Sequence, residues 1–229
     1  MERHFDKELA NLKSLLLRMA TLAEEMIDAA VEGLVERTEA QFPLVAAHEQ
    51  EVNRLQIEVD DQVVTLLAIR QPMATDLRFI VTASKICSDL ERIGDQVVNI
   101  AENMHFLLQH PALKPLIDIP NMAQEAKRMV RDSIDSFVKQ DVLLAQSVIV
   151  NDDKVDAYKD QIFRELLTYM MSDVSTIKRA LALILIARNL ERIGDHATNI
   201  AEEVIYVVQG RDVRDPDKKR SERAAEKLH

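Results

Sequence analysis

Glu91, Asp95, Asn99 and Glu102 are spaced so that a single helix would carry all four on one face. At about 100° per residue they fall at roughly 0°, 40°, 80° and 20°, opposite an apolar stripe of Ile86, Ile93, Val97, Ile100 and Met104 centred near roughly 220°. Glu191, Asp195, Asn199 and Glu202 repeat the arrangement. Carboxylates four residues apart on a helix repel by about 0.2–0.5 kcal/mol per pair. A cationic side chain or a bound ion must offset this, and all-oxygen ligand sets suit Mg²⁺, Ca²⁺, Mn²⁺ and also iron. Arg92, Arg192 and Arg188 adjoin the two stripes and could neutralise them without metal, leaving ordinary solvated acidic faces.

Further acids are placed to support the stripes. Asp152, Asp156 and Asp160 follow four-residue spacing, and folding their helix back near residue 173 sets Asp156 level with Glu191. The first half offers Asp60, but has Asn53 where the second half has Asp156. Glu24 and Asp28 form another acidic pair whose counterparts are Lys127 and Arg131. Gly94 and Gly194 lie mid-helix, where each costs about 1 kcal/mol relative to Ala. They either admit a close neighbour beside the stripe or record common descent.

Residues for catalysis are not assembled. Glu102 and His105 give the one Glu-x-x-His, whereas a di-iron carboxylate bundle needs two, and the duplicate position is Ile205. His196 beside Asp195 is replaced by Gln96 in the other copy and reads as a solvated histidine, and Cys87 falls near the apolar face as a core residue. No Gly-rich phosphate loop, Ser-His-Asp spacing or Cys-x-x-Cys occurs, so no enzyme is expected.

The stripes belong to a tandem duplication. Residues 90–102 (LERIGDQVVNIAE) match residues 190–202 (LERIGDHATNIAE) at ten of thirteen positions, an offset of 100. At the same offset Asp60 answers Asp160. Further back the register moves by about a helical turn, with Val52-Asn53 answering Val155-Asp156 and Met26 answering Met129. Pro111, Pro115 and Pro120 mark the seam. Apolar periodicity predicts helices over 5–38, 40–70 and 74–109 in the first half and 119–139, 141–171 and 174–209 in the second. Gln71-Pro72 breaks one pair, Ser172-Asp173 the other, and Gly210 ends the last helix. Such helices with short connections fold as an all-α protein of two tandem three-helix bundles, one over 1–110 and one over 119–210. A charged, disordered tail is expected over 211–229. The run from Ala180 to Ala187 is apolar all round, so cover on every side is expected, by contact between the bundles or with a second copy.

The 229 residues are 47% hydrophobic and 4% aromatic with four Gly and six Pro, which excludes turn-rich β architectures. The net charge of −10, or about −12 without the tail, argues against nucleic-acid binding by the body. The single cysteine suits a reducing compartment, no leader is evident at the start, and the longest apolar run is about 12 Å as helix, too short for a bilayer. A cytoplasmic protein is expected.

The two LERIGD segments at Leu90–Asp95 and Leu190–Asp195 resemble the hallmark of the PhoU family, regulators of bacterial phosphate uptake. Residues 70–78 (RQPMATDLR) resemble that family's signature between its second and third helices, and Thr168-Tyr169-Met170-Met171 its second-half counterpart. The resemblance covers about residues 5–210. It implies two three-helix bundles, a cytoplasmic homodimer, and negative regulation of the phosphate-starvation response. It also implies an adaptor role between the ATPase subunit of a phosphate ABC transporter and a membrane sensor histidine kinase. Some members carry iron, zinc, manganese or magnesium clusters on Glu/Asp-x-x-x-Asp motifs. That property transfers to Glu91 with Asp95 and Glu191 with Asp195, and less directly to Asp60, Asp156 and Asp160. A metal-storing or metal-dependent carboxylate bundle is the rival class.

Overall fold

A computed structural model describes residues 2–210, with side chains from residue 5; the tail expected over 211–229 lies outside them. The described chain forms six long α-helices and one short 3-10 turn. They are α1 (Glu2–Glu36), α2 (Phe42–Arg70), α3 (Ala74–Leu108), α4 (Asp118–Lys139), α5 (Val142–Ser172) and α6 (Ile177–Gln209), with Val174–Thr176 leading into α6. Among the described residues none is in a strand.

Helix ends follow from local chemistry. After α1, Arg37 turns left-handed (φ 57°) and Thr38 N–H closes on the Gly33 carbonyl at 3.0 Å. The Arg37 guanidinium then donates to the carbonyls of Leu107, Leu108 and His110, satisfying the end of α3. Asp141 caps α5 by accepting from Leu144 N–H at 3.1 Å. Asp173 ends α5 and accepts from both the N–H and the hydroxyl of Ser175, which starts the 3-10 turn. Gly210 closes α6 with φ 67°.

Each half is a three-helix bundle, and the halves join along α3 with α6 and α1 with α4, leaving α2 and α5 on the outside. Stripes at helical spacing, such as Leu12, Leu16, Met19, Ala23, Met26, Ile27, Ala30 and Leu34 on α1, are fully or almost fully buried. Burying each large member contributes about 1.5–3 kcal/mol. The buried apolar residues of both halves form one continuous cluster, so the two bundles share a core.

Bridges reinforce that junction. Phe79 on α3 stacks on Phe137 of α4 at 4.8 Å between ring centres. Lys85 on α3 donates to Glu203 on α6 at 3.0 and 3.1 Å, with Glu203 only 3% exposed. On α1 and α4, Lys127 donates to Asp28 at 2.6 Å and Arg131 Nε to Glu24 at 2.9 Å.

Helices α3, α4 and α5 pack against α6 and bury most of the Ala180–Ala187 run, leaving Leu181 and Leu185 48% and 44% exposed in the single chain. One expectation is corrected. Asp60 and Asp160 are not equivalent. Buried Val45, Val52, Val59 and Val63 of α2 correspond to buried Val148, Val155, Ile162 and Leu166 of α5, an offset of 103 throughout. Position 60 therefore answers Phe163, and Asp160 answers Ile57. The third helices keep the offset of 100, so the three-residue linker Gln71-Pro72-Met73 has no counterpart in the second half.

Candidate functional site: two acidic ridges

That register defines which residues face each other. Val52 of α2 and Met26 of α1 lie beside Gly94, and Val155 of α5 and Met129 of α4 lie beside Gly194. The two LERIGD segments thus occupy matching places, each with its acids turned toward the outer helix of its own bundle.

In the second bundle, α6 contributes Glu191 and Asp195, and α5 contributes Asp152, Asp156 and Lys159. Lys159 Nζ donates to Asp156 Oδ1 at 2.7 Å and to Glu191 Oε1 at 3.0 Å, tying the two helices together. These two carboxylate bonds, the one to Asp156 foremost, hold the ammonium in its charged form well above its ordinary range. Burial, then the charges of Asp195, Asp156, Asp153 and Glu191, push Asp152 up to about 6. Asp195 is raised for the same reasons, burial first and then Glu191 and Asp156.

In the first bundle, α3 contributes Glu91 and Asp95, and α2 contributes Glu49 and Asn53. Asn53 Nδ2 donates to Glu49 Oε1 at 2.6 Å. Glu91 is raised by burial and by Asp95 and Glu49, against a lowering by Arg92. Lys159 answers Gln56 at the offset of 103, so no ammonium stands at the matching place.

The remaining stripe residues do not join these groups. Glu102 lies eleven positions beyond Glu91, about 16 Å along the helix, and lines a separate apolar cleft with Phe42, Val45, Val98, Ala101 and His105. Asn99 and Asn199 are exposed, and Glu202 is half-buried. Asp60 accepts from the Ser84 hydroxyl at 3.3 Å. Its counterpart Phe163 instead lines a cleft with Ile184, Arg188 and Asp160, whose other wall is formed by Lys159 and Glu191 of the second ridge. Arg188 flanks this cleft while Glu191 takes Lys159 as its partner.

His196 is not a solvated histidine. Its Nδ1 lies 2.9 Å from Asp89 Oδ1 across the α3–α6 seam, with both side chains 14% exposed. Asp89 became significant only through this seam, which sequence periodicity does not place. Cys87 is fully buried, and burial raises its thiol to about 12. Glu49 and Lys159 also escaped the sequence reading. The signal for both was the offset of 103, which aligns Glu49 with Asp152 and Gln56 with Lys159.

Metal clusters require several ligands converging on one point. Among the described residues no three His, Cys, Asp or Glu groups do so. On the second ridge, the Lys159 ammonium lies between Asp156 and Glu191, where an ion sharing those carboxylates would sit. The donor set as placed therefore does not fit a cluster there.

Known proteins share this architecture. The chain matches the PhoU domain twice, over residues 16–104 and 119–204. A phosphate-specific transport system accessory protein PhoU homolog from Aquifex aeolicus is 42% identical over 89% of this chain and 92% of its own length. The homolog from Pseudomonas putida is 39% identical over 93% of this chain and 84% of its own length. The crystal structure of PhoU from Pseudomonas aeruginosa superposes with a TM-score of 0.87 at 38% identity, covering 90% of this chain and all of that one. The phosphate transport system regulatory protein PhoU from Streptococcus pneumoniae gives 0.83 at 27% identity, covering 91% and 99%. Two PhoU-domain matches that together span most of the chain, with relatives 39% and 42% identical along nearly all of it, establish that the chain belongs to the PhoU family.

Proposed function

We propose that this protein is an accessory regulator of phosphate uptake that works by contact rather than by catalysis. The observation that carries this reading is the match to phosphate-specific transport system accessory proteins along nearly the whole chain, both repeats included. In this reading the protein is a cytoplasmic adaptor between the ATPase subunit of a phosphate ABC transporter and a membrane sensor histidine kinase, and it holds the kinase off when phosphate is plentiful. No helix among the described residues is long and apolar enough to cross a membrane, so attachment to the membrane would come through such partners.

The outer helices supply surface for docking. Ile57, Val64 and Ile69 on α2 and Val150 and Phe163 on α5 are about half to two-thirds exposed, among acids. Leu181 and Leu185 on α6 add apolar area for a homodimer or a partner helix. Deleting the gene should leave phosphate-starvation genes expressed in phosphate-rich medium. Expression that still follows phosphate in the deletion strain would overturn the proposal. Capture from detergent-solubilised membranes should return the transporter ATPase and the kinase.

A metal-storing or metal-dependent carboxylate bundle is the second reading, favoured by the grouping of Glu49, Glu91 and Asp95, where burial first and then the Asp95 charge raise Glu91. Purified protein supplied with iron or manganese would then store the ion or turn over a substrate, and inert protein would dismiss it.

A further inference from the structure

The two ridges started from one sequence and now balance charge differently. The first holds three carboxylates, Glu49, Glu91 and Asp95. The second holds four, Asp152, Asp156, Glu191 and Asp195, together with the Lys159 ammonium. Both carry a formal −3. The carboxylate gained between Asn53 and Asp156 is matched by the positive charge gained between Gln56 and Lys159, one turn further along the same helix.

We propose that Lys159 is a tethered cation that takes the place of a divalent ion on the second ridge, so that this ridge refuses metal while its ammonium is present. Asp156 and Lys159 are neighbours on α5, and Glu191 comes from α6, so the ammonium crosslinks the two helices as a bridging ion would. An ammonium offers only donors and has no exchangeable ligands. It satisfies Asp156 and Glu191 without the closer oxygen shell of about 2.0–2.6 Å that Mg²⁺ or Ca²⁺ demands. Removing it leaves Asp156 and Glu191 facing each other without their shared cation, with Asp152 and Asp195 one turn along their helices and Arg188 on the rim, so a divalent ion would have to draw these oxygens together in its place. The inference concerns ion selectivity of the ridge and does not depend on the regulatory reading.

The test uses the full chain, stripped with chelator, and Mn²⁺ as probe, read by electron paramagnetic resonance and calorimetric titration. Lys159→Gln and Lys159→Met should each bind one more Mn²⁺ per chain than wild type, at least tenfold more tightly than any wild-type binding at that ridge. Adding Asp195→Asn to Lys159→Gln should abolish the gain, and Lys159→Arg should behave as wild type. Should a neutral variant not fold unaided, Mn²⁺-dependent recovery of its helical circular dichroism is the supporting result. Equal Mn²⁺ binding by wild type and both neutral variants, a gain that survives Asp195→Asn, or an unfolded variant that Mn²⁺ does not recover would each overturn the proposal.

Discussion

Arg131 on α4 donates to Glu24 on α1 at 2.9 Å, and Arg131 stands at the repeat counterpart of Asp28, which itself accepts from Lys127, the counterpart of Glu24. The two pairs are therefore related by a pseudo-two-fold between the halves, the internal equivalent of an isologous interface. Identical repeats would set like charge against like charge here; instead one helix is acidic and the other basic. Reversing one member, Glu24→Arg, should lower stability, and the swap Glu24→Arg with Arg131→Glu should recover most of the loss. Denaturation of the four variants should give a coupling of about 0.5–1 kcal/mol, modest because Arg131 is largely solvated.

Asp152 makes stability depend on pH. Its folded pKa of about 6 lies above the ordinary carboxylate value of 3.8, so the folded state holds its proton more tightly than the unfolded chain. The contribution of this group is then most favourable below about 4 and is lost as pH rises through about 6. Asp152→Asn should stabilise the protein at pH 7.5 by on the order of 1 kcal/mol, a figure reduced for solvent screening. Urea denaturation at pH 7.5 and pH 4 should show the advantage shrinking at the lower value. An advantage that grew instead would contradict the assignment.

The mid-helix glycines should respond differently to a methyl group. A Cβ at Gly94 would meet Val52 and Met26 at ordinary contact distances of 3.8 and 3.9 Å. Gly94→Ala should therefore gain up to about 1 kcal/mol from helix propensity. At Gly194 the Asp152 carboxylate would lie 3.3 Å away, so the same change should gain less. At Gly33 a Cβ would come within 3.0 Å of the Thr38 carbonyl, and Gly33→Ala should cost about 1–2 kcal/mol. Thermal melts of the three variants should fall in that order.

Cys87 should report global opening. It is fully buried with its thiol raised to about 12, so little thiolate exists near neutral pH and reagents cannot reach it. Labelling of native protein by an aromatic disulfide should track unfolding measured by circular dichroism. Rapid labelling of folded protein would contradict its burial.

Helix positions were readable because 3.6-residue periodicity and breakers act locally. Pro72, Asp173 and Gly210 stop helices where expected, and boundaries agree within a few residues. The site was readable only on the helix that carries it. Glu91 and Asp95 stand out in sequence, whereas their neighbours Glu49 and Lys159 depend on how far α2 and α5 slide along α3 and α6. That slide is set by the linker at residues 71–73, which one half has and the other lacks, and it moved Asp60 and Asp160 out of equivalence. His196 shows the same limit between halves, since its bond to Asp89 belongs to a seam that neither helix encodes alone.

The shared interior has an evolutionary corollary. Once α1 met α4 and α3 met α6 through apolar side chains, neither ancestral trio retained a water-compatible exterior of its own. A chain severed between residues 110 and 118 would bare, on each fragment, apolar faces that the intact chain buries against its other half. The charged pairs across this seam, Lys127 with Asp28, Arg131 with Glu24 and His196 with Asp89, would be parted by the same cut.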